Sequence, residues 1–276
     1  MGINFNSMMA NGSLLVVDGL NAAFRYQDYD DFTDDYIRTV RSLAKTYKCS
    51  NILITADKGS STYRKAIYPE YKANRKEKYD TQTEEEREKF EKFFQNWEST
   101  WMVLEQEFST LRFPGVEADD LAAYIVKKRS KYQIEHIWLI SSDKDWNLLV
   151  NDEVSQFSLV TRKETTMGLW SDRHDCTPDQ YADLKALVGD PGDNIKGVPG
   201  IGPKRALQLL DGYGSLYDII EAIPLPGKAK YIQELNKSKS LLELNMQLVD
   251  LQTYCEDALG VEVCAQVDKL LETLYG

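Results

Sequence analysis

Nine carboxylates in this chain sit where a fold could gather them: Asp18, Asp57, Glu117, Asp119, Asp120, Asp143, Asp145, Asp190 and Asp193. No histidine or cysteine accompanies them, and an all-oxygen ligand set selects hard cations such as Mg²⁺ or Mn²⁺. Two such ions, about 3.5 to 4 Å apart, activate water and stabilise a leaving oxygen in phosphodiester hydrolysis, with no nucleophilic side chain required. Asp190 and Asp193 are followed at once by Gly197-Val198-Pro199-Gly200-Ile201-Gly202-Pro203-Lys204. Glycines allow positive φ and close backbone approach. Free N–H groups at the next helix start, beside Lys204, make an anion site suited to a nucleic-acid phosphate. A turn punctuated by Gly and Pro would explain the glycines alone. It would not explain the acids.

Strand ends are the simplest way to bring the acids together. Ser13–Asp18 and Asn51–Asp57 are apolar, β-rich runs that each end in an acid, and Glu135 onward repeats the theme with Asp143 and Asp145. This is the pattern of buried parallel strands, whose carboxyl edge is where open α/β sheets bind ligands. Helical periodicity over Asp35–Tyr47 supplies a crossover. Asp143 and Asp145 alternate along the chain, so both face one site only if the chain turns there. Glu117, Asp119 and Asp120 open a further helix. The helix dipole accounts for one or two acids at that place, but three within four positions read as metal ligands whose repulsion cations relieve.

Between the Asp57 strand and the Glu117 helix lies an insertion, residues 58–114. Its first part, Lys58–Lys78, is basic and interleaved with Tyr63, Tyr68 and Tyr71, with Tyr79 next to it. Cations that track phosphates and rings that stack on bases suit single-stranded nucleic acid; a solvated helix face is the alternative. Thr83–Phe108 reads as a long amphipathic helix with Phe90, Phe93, Phe94, Trp97 and Trp101 on a packing stripe. Val154–Val160 and Thr161–Trp170 read as short strands, a hairpin beside the main sheet. From residue 176 the pattern is helical: Thr177–Val188 with Pro178 at its first position, Pro203–Leu210, Tyr213–Ala222 and Lys228–Leu251, with Pro224 and Pro226 as breaks. The expected fold is α/β, with a central, mainly parallel sheet and flanking helices over residues 12–175, and a helical lobe over 176–276.

At 276 residues a sizeable core is feasible. No apolar run approaches the length of a bilayer crossing, so no membrane partner is expected. Met1–Gly12 reads as a loose tail without the pattern of a secretion signal, which points to the cytoplasm. Four scattered cysteines with no Cys-x-x-Cys pair argue against zinc and a disulfide framework, and two isolated histidines against a histidine triad. No Gly-x-x-x-x-Gly-Lys-Ser/Thr loop supports ATP hydrolysis. The net charge of -11 opposes a polyanionic partner at first sight. Acids gathered on cations would leave local positive patches to decide binding.

Six ordered segments resemble the phage-type flap endonucleases, relatives of the 5′-nuclease domain of bacterial DNA polymerase I. They are Val-Val-Asp18-Gly, Ala-Asp57-Lys-Gly, Pro-Glu-Tyr71-Lys72-Ala-Asn-Arg75, Gly-Val-Glu117-Ala-Asp119-Asp120, Ile-Ser-Ser-Asp143-Lys-Asp145-Trp and Gly-Asp190-Pro-Gly-Asp193-Asn-Ile. The segment Gly197–Lys204 is similar to that family's helix-three-turn-helix. The resemblance implies a two-metal 5′-nuclease acting on 5′ flaps and ends of DNA, a monomer in phage DNA replication. It implies a helical arch over the site at about residues 58–114, with Lys72 and Arg75 on the scissile phosphate. It also implies DNA contacts by Tyr71, Lys196, Gly197, Val198, Gly200, Ile201, Gly202 and Lys204, with K⁺ at the hairpin. Two rival classes remain: a clamp that no longer cuts, which would have lost acids, and a haloacid-type phosphatase, which needs an Asp at Leu20.

Overall fold

The computed structural model describes residues 12–29 and 31–276. The expected tail, up to Asn11, lies outside the described residues, as do the side chains of residues 76–78.

The elements follow the chain as β1 (Leu14–Asp18), α1 (Gly19–Ala23), α2 (Phe32–Thr46), β2 (Asn51–Thr55), α3 (Thr62–Ile67), α4 (Asn74–Asp80), α5 (Glu84–Glu107), β3 (Ser109–Leu111) and α6 (Ala118–Lys128). Then come β4 (Ile137–Ile140), β5 (Val154–Ser158), β6 (Lys163–Thr165), α7 (Tyr181–Val188), β7 (Gly189–Asp190) and β8 (Ile195–Lys196). The helices α8 (Pro203–Tyr213), α9 (Leu216–Ala222), α10 (Lys230–Asn236), α11 (Lys239–Val249) and α12 (Leu251–Tyr275) complete it.

One sheet of order β3-β2-β1-β4-β5-β6 carries the first body, parallel throughout except for the antiparallel edge pair β5–β6. The order reverses between β1 and β4, and the crevice beyond the carboxyl ends there is where such sheets take ligands. Alternation along β1 explains its two-sided burial. Leu14 and Val16 join Leu121 and Ile125 of α6 in one core, while Leu15 and Val17 join Val40 of α2 and Trp97 of α5 in the other. Each such side chain, fully buried, contributes about 1.5 to 3 kcal/mol.

Helix α5 begins with a capping box: Thr83 Oγ1 accepts from Glu86 N–H, and Glu86 accepts from Thr83 N–H at 2.8 Å. Phe93, Trp97, Trp101 and Leu104 form its buried stripe, whereas Phe90, expected on it, is exposed nearer the helix start.

Three helical expectations shift. Tyr213 ends α8 at the Gly214 cap, and α9 starts only at Leu216. Helix α7 starts at Tyr181, because Thr177 and Pro178 spend their carbonyls on a turn to Gln180 and Tyr181. The helix expected over Lys228–Leu251 divides into α10 and α11, and α12 continues beyond Leu251. Gly260, at φ 72°, interrupts α12 and resets its apolar face, which hides a single stripe from the sequence. Leu251, Cys255, Leu259, Val267 and Leu271 of α12 pack into the α6 core. Among the described residues no helix is long and apolar enough to cross a membrane.

Candidate active site

The strand-end acids converge at the β1/β4 crevice. Asp18 closes β1; its Oδ2 accepts from Ser141 Oγ at 2.7 Å and its Oδ1 from Asn21 N–H at 3.3 Å. Asp57 follows β2 and accepts the Ala118 N–H at 2.6 Å, which ties it to the start of α6. After β4 the chain turns into a short 3-10 segment, Asp145–Leu149, whose first N–H donates to Asp143 Oδ1 at 2.9 Å. Asp119 accepts from Trp146 Nε1 at 2.6 Å. Burial first, then the Asp57 carboxylate, push Asp18 up to about 8 despite the Ser141 hydrogen bond. Burial, then Asp143 and Asp57, raise Asp119 well above the usual carboxylate range. Asp57 is raised as well, again mainly by burial. Like charges held this close call for cations.

A second group hangs from the lobe. Asp190 and Asp193 flank a turn between β7 and β8, and Lys185 of α7 contacts both Asp145 and Asp190, the latter at 3.0 Å. Burial opposes the charge on Asp190, but Lys185 overrides it and holds Asp190 below its usual value. One small cavity is lined by Asp119, Asp145, Asp190 and Asp193 together, so the two groups share a floor.

The insertion reaches this floor from the other side. Lys72 Nζ lies 2.7 Å from Glu117 Oε1 and 3.6 Å from Asp193 Oδ2, and its own N–H donates to the Asp193 carbonyl. Its φ of 56° is an uncommon backbone state for a side-chain-bearing residue, of the kind that clusters at functional sites. Arg75, largely exposed, reaches Asp193 Oδ1 at 2.9 Å. Burial opposes the charge on Glu117, yet Lys72 and Arg64 hold its carboxyl below the ordinary range.

Three expectations about this site change. Asp120 does not join the other acids. Neighbouring helix positions diverge by about 100°, so Asp119 faces the crevice while Asp120 is fully buried and takes both terminal nitrogens of Arg64, at 2.6 and 2.8 Å. Tyr71 offers no stacking face: its ring is buried in the lobe core, and its hydroxyl donates toward Glu117 at 2.9 Å and Asp193 at 3.1 Å. Gly197 lacks a side chain for an internal reason, since a Cβ there would run into the Val188 carbonyl.

In the hairpin, Val198 and Ile201 are buried anchors, whereas Lys196, Gly200, Gly202 and Lys204 are exposed. Gly200 has φ 80°, and a Cβ on Gly202 would meet nothing within 4 Å. Sequence reading missed Arg64, Lys185, Ser141 and Trp146. Arg64 lay in the basic stretch, and Ser141 and Trp146 in the segment around Asp143 and Asp145, whereas Lys185 carried no signal.

Among the described residues no three acids close into a preformed metal cage. Ammonium groups of Lys72 and Lys185 stand between carboxylates instead, which marks the floor as a place for positive charge. An oxygen-only donor set interleaved with cations fits hard divalent ions.

A doubly wound sheet with acids at its switch point, met by Lys72 and Arg75 from an insertion whose first part is basic and backed by a helical lobe, defines a carboxylate-based nuclease. Residues 13–173 match the 5′-3′ exonuclease N-terminal resolvase-like domain, and residues 176–269 the 5′-3′ exonuclease C-terminal SAM fold. The chain belongs to the 5′-3′ exonuclease family. It is 43% identical to the flap endonuclease of Escherichia phage T5 over 271 residues, 97% of this chain and 93% of that protein. It is 26% identical to the flap endonuclease Xni of Shewanella oneidensis, over 87% of this chain and 89% of that one. A crystal structure of the bacteriophage T5 flap endonuclease in a pseudo-enzyme-product complex with DNA and metal ions superposes with a TM-score of 0.91, at 42% identity, covering 95% of this chain and 99% of that one. The T5 5′-exonuclease with bound zinc also gives 0.91, at 43% identity, covering 96% of this chain and 100% of that one.

Proposed function

We propose that this protein hydrolyses phosphodiester bonds at 5′ flaps and 5′ ends of DNA as a structure-selective, two-metal 5′-nuclease. The observation that carries this reading is the shared floor on which strand-end acids, the Asp190/Asp193 turn and the basic first part of the insertion meet. Asp18, Asp57, Glu117, Asp119 and Asp143 would hold one Mg²⁺, and Asp145, Asp190 and Asp193 would complete the site for a second, with Mn²⁺ as a substitute. When bound, the ions supply a metal-activated water and charge stabilisation at the leaving oxygen.

The chain's own groups do the positioning. Lys72, charged despite burial because Glu117 and Asp193 face it, places an ammonium at the edge of the acid floor. Arg75 adds a guanidinium from the exposed side. Together they neutralise the scissile phosphate where charge builds up in the transition state. Ser141 fixes the Asp18 carboxylate, Trp146 fixes Asp119, and Ala118 N–H fixes Asp57, so the acids are oriented before substrate arrives.

The hairpin holds duplex away from the reaction. Val198 and Ile201 anchor the loop in the lobe, leaving backbone at Gly200 and Gly202, with Lys196 and Lys204, open to duplex phosphates and a K⁺ ion. A monomer in the host-cell cytoplasm, serving phage DNA replication, completes the reading. A labelled 5′ flap incubated with Mg²⁺ or with EDTA tests it. Cleavage only with the metal, at the base of the flap, is expected; turnover in EDTA would remove the metal mechanism.

A further inference from the structure

Behind the Asp143 loop, on the side away from the insertion, lies a second cavity of about 340 Å³ between β5, β6 and the start of α7. Its size is in the range of small-molecule sites. Lys144, Lys163 and Arg173 line it. Among the described residues none of these three has a carboxylate within 4 Å, whereas Lys72, Arg75 and Lys185 in the acid floor are all paired. The Asp143 carboxylate lines the second cavity too, but in a chain of net charge -11 three cations outside any ion pair against one carboxylate still make a local positive patch, and local potential decides anion binding.

Among the described residues, two buried polar atoms in the walls of the same cavity lack partners. Gln156 is 4% exposed; its Nε2 donates to the carbonyls of Ser141 and Asp143, at 2.8 and 2.7 Å, while its Oε1 accepts nothing. His174 Nε2 is buried with no hydrogen-bond partner among the described residues, and the ring lies against Trp170 at 4.1 Å and edge-on to Tyr181 at 4.8 Å. Burial, with Lys144 and Arg173 nearby, lowers His174 and keeps its ring neutral. Unsatisfied buried polar atoms are rare in native proteins and ask for a ligand or water. An occupant that answers these features brings negative charge for the cations and, once a small side-chain shift uncovers them, hydrogen-bonding groups for Gln156 and His174.

We propose that this cavity is a nucleotide subsite: it holds one nucleotide of the substrate strand, with its phosphate on Lys163, Arg173 and Lys144 and its base against His174 and Gln156. Gln156 bonds the backbone of residues 141 and 143, so an occupied subsite braces the loop that carries Asp143. The inference rests on the nuclease reading, and adds a contact apart from the insertion and the hairpin.

The chain has two histidines, and His136, bonded to Ser155 at 3.1 Å, precedes the amino end of β4 and serves as an internal control. Histidine Cε1–H NMR signals of the full chain in EDTA are followed while deoxyadenosine 5′-monophosphate is added, with inorganic phosphate and deoxyadenosine as separate arms. The nucleotide is expected to move the His174 signal and not that of His136, more strongly than either fragment. The double variant Lys163→Ala/Arg173→Ala, in exposed positions, is expected to weaken this response about tenfold. It should also lower the salt slope of single-strand binding by about 0.7, the value for the one phosphate the subsite holds. A stationary His174 signal, an equal response to phosphate alone, or an unchanged salt slope would overturn the subsite. Loss of Mg²⁺-dependent flap cleavage by the wild-type chain would instead strike the nuclease reading, so the two failures are distinguishable.

Discussion

Arg64 closes both terminal nitrogens on the Asp120 carboxylate, at 2.6 and 2.8 Å, in a pocket from which water is excluded. Its Nε donates to the Leu248 carbonyl, so one guanidinium joins α3, α6 and the end of α11. The pair is therefore a structural tie beneath the acid floor. Removing one partner of a buried pair leaves an uncompensated charge and costs about 3 to 5 kcal/mol.

The first prediction contrasts three acids. Asp120→Asn is expected to lower stability toward urea by a few kcal/mol, with activity falling in step with the unfolded fraction. Asp119→Asn and Asp143→Asn are expected to abolish Mg²⁺-dependent cleavage while leaving the urea midpoint unchanged or raised, and DNA binding largely intact. Urea titration and single-turnover cleavage on the same samples decide this. A stable, inactive Asp120→Asn would return Asp120 to the ligand set.

Much of this site was legible in the sequence, because strand-end acids are a local signal: Asp18 and Asp57 announce themselves at the close of β-rich runs, and Asp143 and Asp145 at a turn. What failed was facing. Asp119 and Asp120 look alike in sequence, and only the helical rotation separates them. Tyr71 reads as a stacking aromatic until the lobe is seen to cover it. Lys185 sits on a helix whose apolar pattern gives no hint that one lysine will land between Asp145 and Asp190. Gln156 and His174 carry no spacing signal at all, since their cavity is made by the edge hairpin closing on the start of α7.

Stability should depend on pH more steeply without metal than with it. Asp18 is raised to about 8 by burial and by Asp57, and Asp57 and Asp119 shift the same way. A carboxyl raised in the folded state binds more protons there than in the unfolded chain. Its contribution is full below the unfolded pKa of about 3.9 and is lost as pH rises toward about 8. Glu117 and Asp190 are lowered, so their contribution is present above that pKa and is lost as pH falls. In EDTA the melting temperature is thus expected to decline from mildly acidic pH to pH 8. Mg²⁺ should flatten the decline, because a cation favours the charged carboxylates. A profile identical with and without Mg²⁺ would contradict the placement of these acids around a metal.

The hairpin glycines separate folding from binding. Gly197→Val drives a side chain into the Val188 carbonyl and should unfold the β7–β8 turn, with loss of activity on every substrate. A Cβ on Gly202 meets nothing within 4 Å, so Gly202→Val should leave the melting temperature within about 2 °C, a shift of about 1 kcal/mol for a chain of this size. It should nonetheless weaken binding of duplex-containing flaps severalfold more than of short single strands, because it obstructs a phosphate and not the fold. Binding titrations with both DNA types read the difference. Equal weakening of the two would mean that the loop contributes shape to the lobe and no phosphate contact.

Lys72 gives the sharpest test of the insertion. Its ammonium is buried, held at 2.7 Å from Glu117 and 3.6 Å from Asp193, on a backbone in the left-handed region. A lysine kept only for general affinity would sit exposed, as Lys196 and Lys204 do. Its position at the acid floor fits a charge that meets the phosphate as the bond breaks, and a lost transition-state contact lowers kcat and kcat/KM together. Lys72→Ala is expected to slow single-turnover cleavage at saturating enzyme by far more than tenfold, the factor that corresponds to about 1.4 kcal/mol. Removing the ammonium also frees Glu117, so the Mg²⁺ dependence of the residual rate should shift to lower concentration. That shift separates a catalytic lysine from one that merely props up the fold, whose loss would lower the melting temperature and leave the metal response in place. A rate within about threefold of wild type would take Lys72 out of the reaction.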